Sequence, residues 1–211
     1  MGVGVPAARH DDVESSPQER ILEATFKVVR ERTLSALRMP LIAKVAGVSS
    51  ATIHYHFVSK ANLLQALSDW LLAALAELRI VPTGRQAPSG DTPAEKLDAL
   101  LSFQRMLCDG DGRGMLRVFY DFWVQAAGGS RQDAVRMHEH FALYRDQIRQ
   151  ALGYDEHWVQ DPERRINVAI ALSLLEGGPL QSVVDPAMDV DAYLDRIRDL
   201  MKSLTAVSNP K

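Results

Sequence analysis

The sequence predicts an all-α protein, three short helices followed by a longer helical bundle. Apolar residues recur at helical spacing through almost the whole chain, and no stretch of period-two alternation is long enough to make a strand. The breaks between those stretches are short and rich in Gly, Pro, Ser or Asp. With 46% hydrophobic residues among 211, the chain suffices for one or two compact domains with a sizeable core.

Residues 1–15 are rich in Gly, Pro and Asp and read as a disordered tail. The first helix starts at Ser16-Pro17-Gln18-Glu19: Ser16 caps, Pro17 takes the first helical position and Glu19 closes a capping box. Ile21, Leu22, Thr25, Phe26, Val28 and Val29 form its inner face, to about Arg30. Pro40 opens a second, short helix with Ile42, Val45 and Ala46 inward. Gly47 stops it, because glycine tolerates the positive φ of a tight turn. Ser49 caps a third helix through Phe57, and Ser59 caps a fourth with Leu63, Leu67, Trp70, Ala74 and Leu78 at helical spacing. VPTGRQAPSGDTP, residues 81–93, is the clearest break and ends in a Thr92-Pro93 helix start. Beyond it the spacing predicts helices near 93–108, 115–127, 131–152, 162–176 and 189–205, separated by DGDGRG, AGGS, LGYDEH and GGPLQSVVDPAMD.

Charge divides the chain. Residues 18–60 hold seven Lys/Arg against three Glu, and residues 61–211 hold 16 Lys/Arg against 21 Asp/Glu. A basic head on an acidic body suggests a polyanion-facing module joined to something else, with ordinary scatter as the plain alternative. The single Cys108 rules out an internal disulfide framework and makes a reducing cytoplasm the expected compartment. The N-terminus has no apolar run of signal-peptide length, and Pro6 breaks a myristoylation pattern. No segment reaches the roughly 18 uninterrupted apolar residues of a membrane span.

The stretch AGVSSATIHYHF, residues 46–57, carries the functional signal. At about 100° per residue, Ile53 and Phe57 share one face and anchor the third helix. Ala51, Thr52 and Tyr55 fall roughly opposite, with His54 and His56 on the flanks. Ser50 and Ala51 permit close approach, the first backbone N–H groups suit a phosphate, and Lys60 adds a mobile cation just past the helix. Two short helices joined through Gly47, the second with an outward polar-aromatic surface, make a helix-turn-helix whose outer face meets base edges in the major groove of DNA. This places a DNA-binding domain at 16–60 and a helical body at 61–211.

Residues 18–64, above all IAKVAGVSSATIHYHFVSKANLL, resemble the N-terminal domain of the TetR-type transcriptional regulators. Ile42-Ala43, Ala46-Gly47-Val48-Ser49, Thr52-Ile53, His56-Phe57, Ser59-Lys60 and Leu63-Leu64 all stand in register. The resemblance implies a homodimer on a palindromic operator, usually a repressor released by a small molecule. It implies base-facing roles for Ser50, Ala51, Thr52 and Tyr55, and Ser49, at the cap, is a further candidate DNA contact. It implies backbone contacts for His56 and Lys60, and for His54, where the family usually has a phosphate-binding tyrosine. Imidazole reaches less far than phenol and gains charge below about pH 6.5. Upstream, Glu31-Arg32-Thr33 stands where the family turns on glycine, and Arg38 stands where it caps with Ser or Thr; Arg38 can still touch phosphate.

In the body, Phe103, Met106 and Leu107, then Phe119, Phe122 and Trp123, then Met137, Phe141 and Tyr144 recur at helical spacing, as core residues do. In the family these helices surround the effector cavity, so Phe103, Phe119, Trp123, Phe141 and Glu176 are the candidate effector contacts. Aromatic rings with a carboxylate suit an apolar or cationic ligand, and YDFWVQAAGG and LLEGGPLQSVV resemble the family's choline-sensing branch. The family pairs its last two long helices with those of a second copy. Ile170, Leu174, Tyr193, Leu194, Ile197 and Leu200 are the candidate dimer contacts, with inward packing as the alternative. Pairing spaces two recognition helices about 34–36 Å apart. Ligand entering the body would tilt the fourth helix, which begins at Lys60, and change that spacing.

Other chemistries find less support. His54 with His56, and His138 with His140, diverge by about 200° on a helix, so neither pair chelates a metal, and exposed or DNA-facing imidazoles are expected. The sequence calls for no cofactor. Asp109-Gly-Asp111-Gly-Arg-Gly114 lacks the third acid and final Glu of a calcium loop and reads as a flexible turn. Cys108 reads as a small buried residue at a helix end. No nucleophile with a base, carboxylate pair or phosphate loop stands out, which argues against an enzyme. An effector-independent DNA-binding or architectural protein is the alternative, and an all-α enzyme the weaker one.

Overall fold

The computed structural model describes residues 16–80, 92–185 and 187–206, without the side chains of 77–80, Asp111 and Ala206. The predicted tail at 1–15, most of the break at 81–93 and the Leu78 side chain lie outside the described residues. Among the described residues the regular structure is helical throughout. The helices are α1 (Pro17–Glu31), α2 (Met39–Ala46), α3 (Ser50–His56), α4 (Lys60–Ile80), α5 (Pro93–Cys108), α6 (Gly110–Ala127), α7 (Arg131–Ala151), α8 (Pro162–Val184) and α9 (Val190–Ala206), with 3-10 turns at Leu34–Ala36 and Trp158–Gln160.

Two compact units form. The first takes the described residues up to Ala74 and Gly114–Met137; the second takes the described residues of Leu75–Arg113 and those from His138 onward. In the first, α1 begins with the capping box: Glu19 N–H donates to Ser16 Oγ at 3.2 Å, and Ser16 N–H to Glu19 Oε2 at 2.8 Å. Ile21, Leu22, Phe26, Val28 and Val29 are buried, and Trp70 of α4 sets its ring edge-on to Phe26. Trp70 stays half-exposed; Leu71 completes the buried stripe Leu63, Leu67, Leu71 and Ala74 instead. In α2 the buried pair is Ile42 and Ala43. That turns the inner face toward Ile42, Ala43 and half-buried Ala46 and away from Val45, which is 40% exposed rather than inward.

Residues Gly114–Ala127 of α6 brace the link between α1 and α2. Arg117 donates to the carbonyls of Arg30 (3.4 Å) and Arg32 (2.8 Å), and the Leu34 N–H donates to Asp121 Oδ2 at 3.3 Å. This link, which has no glycine, thus has two of its carbonyls and one N–H met by side chains, the N–H being that of buried Leu34.

The second unit packs α5, α8, α9 and the C-terminal part of α7 around Leu97, Leu100, Leu101, Tyr144, Ile148, Val168, Leu175, Leu194, Ile197 and Met201. Two predicted breaks are helical. DGDGRG is the first turn of α6: Asp109 O accepts from Arg113 N–H at 3.1 Å and Arg113 Nε–H caps Cys108 O at 2.8 Å. Its Gly112 lies so close to Met106 and Leu107 that a Cβ there would overlap their backbone, so the glycine serves close approach, not flexibility. The helix predicted to end at 176 runs on through Gly177-Gly178-Pro179 to Val184.

Candidate nucleic-acid interface

Gly47 adopts φ 66° and ψ 32°, the left-handed region, and ends α2 there; Val48 N–H closes back on Ala43 O at 3.1 Å. The chain then turns directly into α3, whose start is fixed by Ser49: Thr52 N–H donates to Ser49 Oγ at 3.0 Å. The two hydroxyls also bond, at 2.8 Å, so the Thr52 hydroxyl is partly committed to the cap. Ile53 and Phe57 are buried at 0% and 4%, which fixes the rotation of α3 about its axis and turns the other face outward.

That outward face carries the predicted residues. Ser49, Ser50, Ala51, His54 and Tyr55 are exposed, and Thr52, His56 and Lys60 are half-buried. Tyr55 is 84% exposed, with its ring edge-on to His56 at 5.1 Å. The phenol ring is thus available to a partner, with an apolar body and a polar tip. His54 sits beside it, as the helical spacing requires.

Two cations far apart in sequence converge. Lys60 Nζ donates to Leu37 O at 3.0 Å, and Arg38 reaches the same carbonyl at 3.4 Å and Ser35 O at 3.4 Å. Lys60 is therefore held at the entry to α2 rather than free to swing. Leu37 itself is buried, so the carbonyl that gathers the two charges is fixed by the core. Exposed Lys44 adds a third cation from the end of α2. Exposure also picks out Val58, 82% exposed just past α3. Sequence reasoning missed it because the residue lies outside the helix whose faces were being counted; only its position between Phe57 and Ser59 hinted at it.

The body residues separate. Phe119 (buried) and Trp123 (45% exposed) belong to the first unit; Phe103 (buried), Phe141 and Glu176 (both half-buried) belong to the second. Among the candidate dimer contacts, Leu194 and Ile197 are buried in their own chain's core, and Leu174, Tyr193 and Leu200 are half-buried. Ile170 is exposed and lies on an apolar stripe of α8 with Ile166, Leu180 and Val184, all exposed. Their spacing keeps the four within about 40° of one line. His140, expected to be exposed, is buried: it follows Met137 on the inward face of α7 and packs edge-on to Phe141 and Tyr144. Cys108 is buried at the end of α5, and burial raises its thiol pKa. Among the described residues no group of three or more His, Cys, Asp or Glu is arranged to hold a metal ion.

Residues 21–67 match the family model for bacterial regulatory proteins, tetR family. The HTH-type transcriptional regulator BetI of Stenotrophomonas maltophilia is 30% identical over 114 residues, 53% of this chain and 55% of that protein. The chain thus spans about half the length of the curated relatives it matches. Among solved structures, a transcriptional regulator from Saccharomonospora viridis in complex with choline superposes with a TM-score of 0.71 at 20% identity, covering 90% of this chain and 97% of that one. A TetR transcription regulator from Haloarcula marismortui gives 0.68 at 19% identity, covering 90% and 97%. Those two likenesses concern the fold.

Proposed function

We propose that the chain is a TetR-type transcriptional regulator, a cytoplasmic homodimeric repressor that binds a palindromic operator and is released by a small apolar or cationic effector. The observation that carries the reading is the outward face of α3. Ile53 and Phe57 lock the helix, and Tyr55 is left almost wholly in solvent beside Ser50, Ala51 and His54. Tyr55, Thr52 and Val58 meet base edges and thymine methyls; Arg38, His54, His56 and Lys60 meet phosphates.

The exposed stripe Ile166, Ile170, Leu180 and Val184 supports pairing of two copies through α8. The same apolarity gives α8 the length and hydropathy of a membrane span by composition alone, and a partner protomer covers such a face equally well. The effector reading draws on the family resemblance and on the choline complex of the Saccharomonospora regulator. The helix α4 carries Lys60 at its first residue and supplies residues to both units, which suits it to pass a ligand's effect to the DNA contact. Only a ligand that prefers the non-binding state can act this way.

Fluorescence anisotropy with the DNA upstream of the protein's own gene, against an unrelated duplex at about 0.15 M salt, tests the proposal. A specific site binds at least about 10³-fold tighter than random DNA, with two protomers per site. In that assay Tyr55→Ala lowers discrimination between sequences, and Lys60→Ala weakens binding to all DNA. Equal loss of specific and non-specific binding in Tyr55→Ala would count against base reading. Where the upstream DNA gives no preference, selection from random duplexes decides, and failure to enrich any sequence favours an architectural protein.

A further inference from the structure

The buried polar groups of the second unit do not all balance. Gln104 of α5 is 1% exposed, among neighbours on the same helix that are almost all aliphatic or aromatic. Its Nε2 donates to the Tyr144 hydroxyl, and its Oε1 has no partner. Tyr144 is fully buried, and His140, one turn earlier on α7 and 6% exposed, sets its ring edge-on to both Tyr144 (6.5 Å) and Phe141 (5.6 Å). The other buried polar residues of this unit are satisfied: Asn167 donates to Tyr154 at 3.1 Å, and Ser182 to Pro179 O at 2.8 Å. A buried amide with one atom unmatched opposes folding, and folded proteins keep few of them without a use. An apolar residue of the same size would bring no unmatched oxygen, though it would take the Nε2 donor from Tyr144.

We infer that Gln104, with Tyr144, is the polar anchor of a binding site in the second unit for a small molecule that carries a hydroxyl on an apolar body. A hydroxyl both donates and accepts, so it matches the amide in either orientation of its terminal group. The rings of Tyr144, His140 and Phe141 supply an apolar and aromatic surround, which accepts a neutral ring or a quaternary ammonium group. The inference rests on the reading of the chain as a ligand-responsive regulator and names the chemistry its effector brings.

The test is calorimetric titration and thermal shift on the full chain with matched probes. Phenol is compared with toluene, in which a methyl replaces the hydroxyl, and choline with ethyltrimethylammonium, in which a hydrogen does. The hydroxyl-bearing member of at least one pair is expected to bind about tenfold or more tightly than its counterpart, the discrimination a buried hydrogen-bonding group gives. Gln104→Met removes the unmatched oxygen and the donor to Tyr144 together, so it is expected to remain folded with opposing effects on its melting temperature and to lose that preference; Tyr144→Phe is expected to weaken it. Equal binding within both pairs, no binding by any probe, or a preference that survives in Gln104→Met would overturn the inference and leave the amide to an internal water. The operator assay is separate: DNA binding with no hydroxyl preference sinks this inference alone, whereas a hydroxyl preference without DNA binding sinks the regulator reading alone.

Discussion

Gly47 and Gly178 look alike in the sequence, each a glycine interrupting an apolar helical stretch, and the chain uses them in opposite ways. At Gly47 the backbone takes φ 66° and nothing lies within 4 Å of where a Cβ would sit. The glycine is there for its dihedral angle, and the helix ends. Gly178 is helical, and a Cβ there would overlap the ring of Tyr193 from α9. The glycine is there for space, and the helix continues. Pro179, which has no N–H to give to the carbonyl four residues back, sits in the same turn. The Tyr193 hydroxyl donates to Leu174 O at 2.7 Å, and Ser182 Oγ donates to Pro179 O at 2.8 Å. Side chains thus serve carbonyls in the stretch the proline weakens. A glycine's meaning depends on whether its neighbour in space or its own backbone makes the demand.

The sharpest way to break this contrast is to fill the space. Gly178→Val should drive side-chain atoms into the Tyr193 ring and cost about 3 kcal/mol, the upper part of the usual overpacking range. Thermal unfolding is the check, and a melting temperature within a degree of wild type would mean that the ring moves freely aside. At Gly47 the demand is conformational, so the size of the new side chain should matter less than its tolerance of positive φ. Gly47→Ala should cost about 1–2 kcal/mol, and Gly47→Asn clearly less, because asparagine visits the left-handed region more readily. If Ala and Asn cost the same there, the dihedral argument fails. At Gly178 the order should reverse, with Ala the milder change and Asn the worse.

This contrast also explains what the sequence made legible. The ends of the first three helices, and most of their inner faces apart from Val45, were legible because their signals are local. Ser16 with Glu19, Pro40, Gly47 and Ser49 act within four positions of themselves, and Ile53 and Phe57 fix one face by spacing alone. The same rule failed at Gly177-Gly178-Pro179 because the residue that decides the matter, Tyr193, is 15 positions downstream of Gly178 and on another helix. It failed at DGDGRG because Gly112 answers to the backbone of Met106 and Leu107. In the interface, Tyr55 and its neighbours were legible from helix geometry. The meeting of Arg38 and Lys60 on the Leu37 carbonyl was not, since it brings Lys60 to a carbonyl 23 residues before it. The buried His140 and the half-satisfied Gln104 were hidden for the same reason: polarity in sequence does not reveal which face a neighbouring helix will cover.

A smaller effect separates the two jobs of Tyr193, filling the space over Gly178 and serving the Leu174 carbonyl. Tyr193→Phe keeps the ring and removes only the hydroxyl. It should cost about 0.5–1.5 kcal/mol, the net worth of one hydrogen bond, and the loss should nearly vanish in a Gly178→Val background if the ring is already displaced there. A double-mutant cycle reads the coupling. Full additivity would mean that the hydroxyl and the ring position are independent.

The smallest effect is on pH. Burial is the largest influence on both the Cys108 thiol and the Tyr193 phenol and raises both; for the thiol it outweighs a hydrogen bond with Ser182 that lowers it, and for the phenol the nearby Cys108 adds to it. For an acid raised in the folded state, the unfolded chain releases its proton first as pH rises. Stability should therefore be flat near neutrality and fall once the pH passes the ordinary thiol range of about 8.5, then again past about 10 for the phenol. Each group contributes at most about 1.4 kcal/mol per pH unit. Chemical denaturation between pH 7 and 10.5 gives the slope. Cys108→Ala should remove its first part and slightly reduce the second, because the thiolate adds to the phenol's rise, whereas Tyr193→Phe should remove the second and leave the first. Should both variants keep the wild-type slope, the alkaline loss would belong to other groups, and the packing around Tyr193 would be loose enough to admit water, contrary to the tight fit over Gly178.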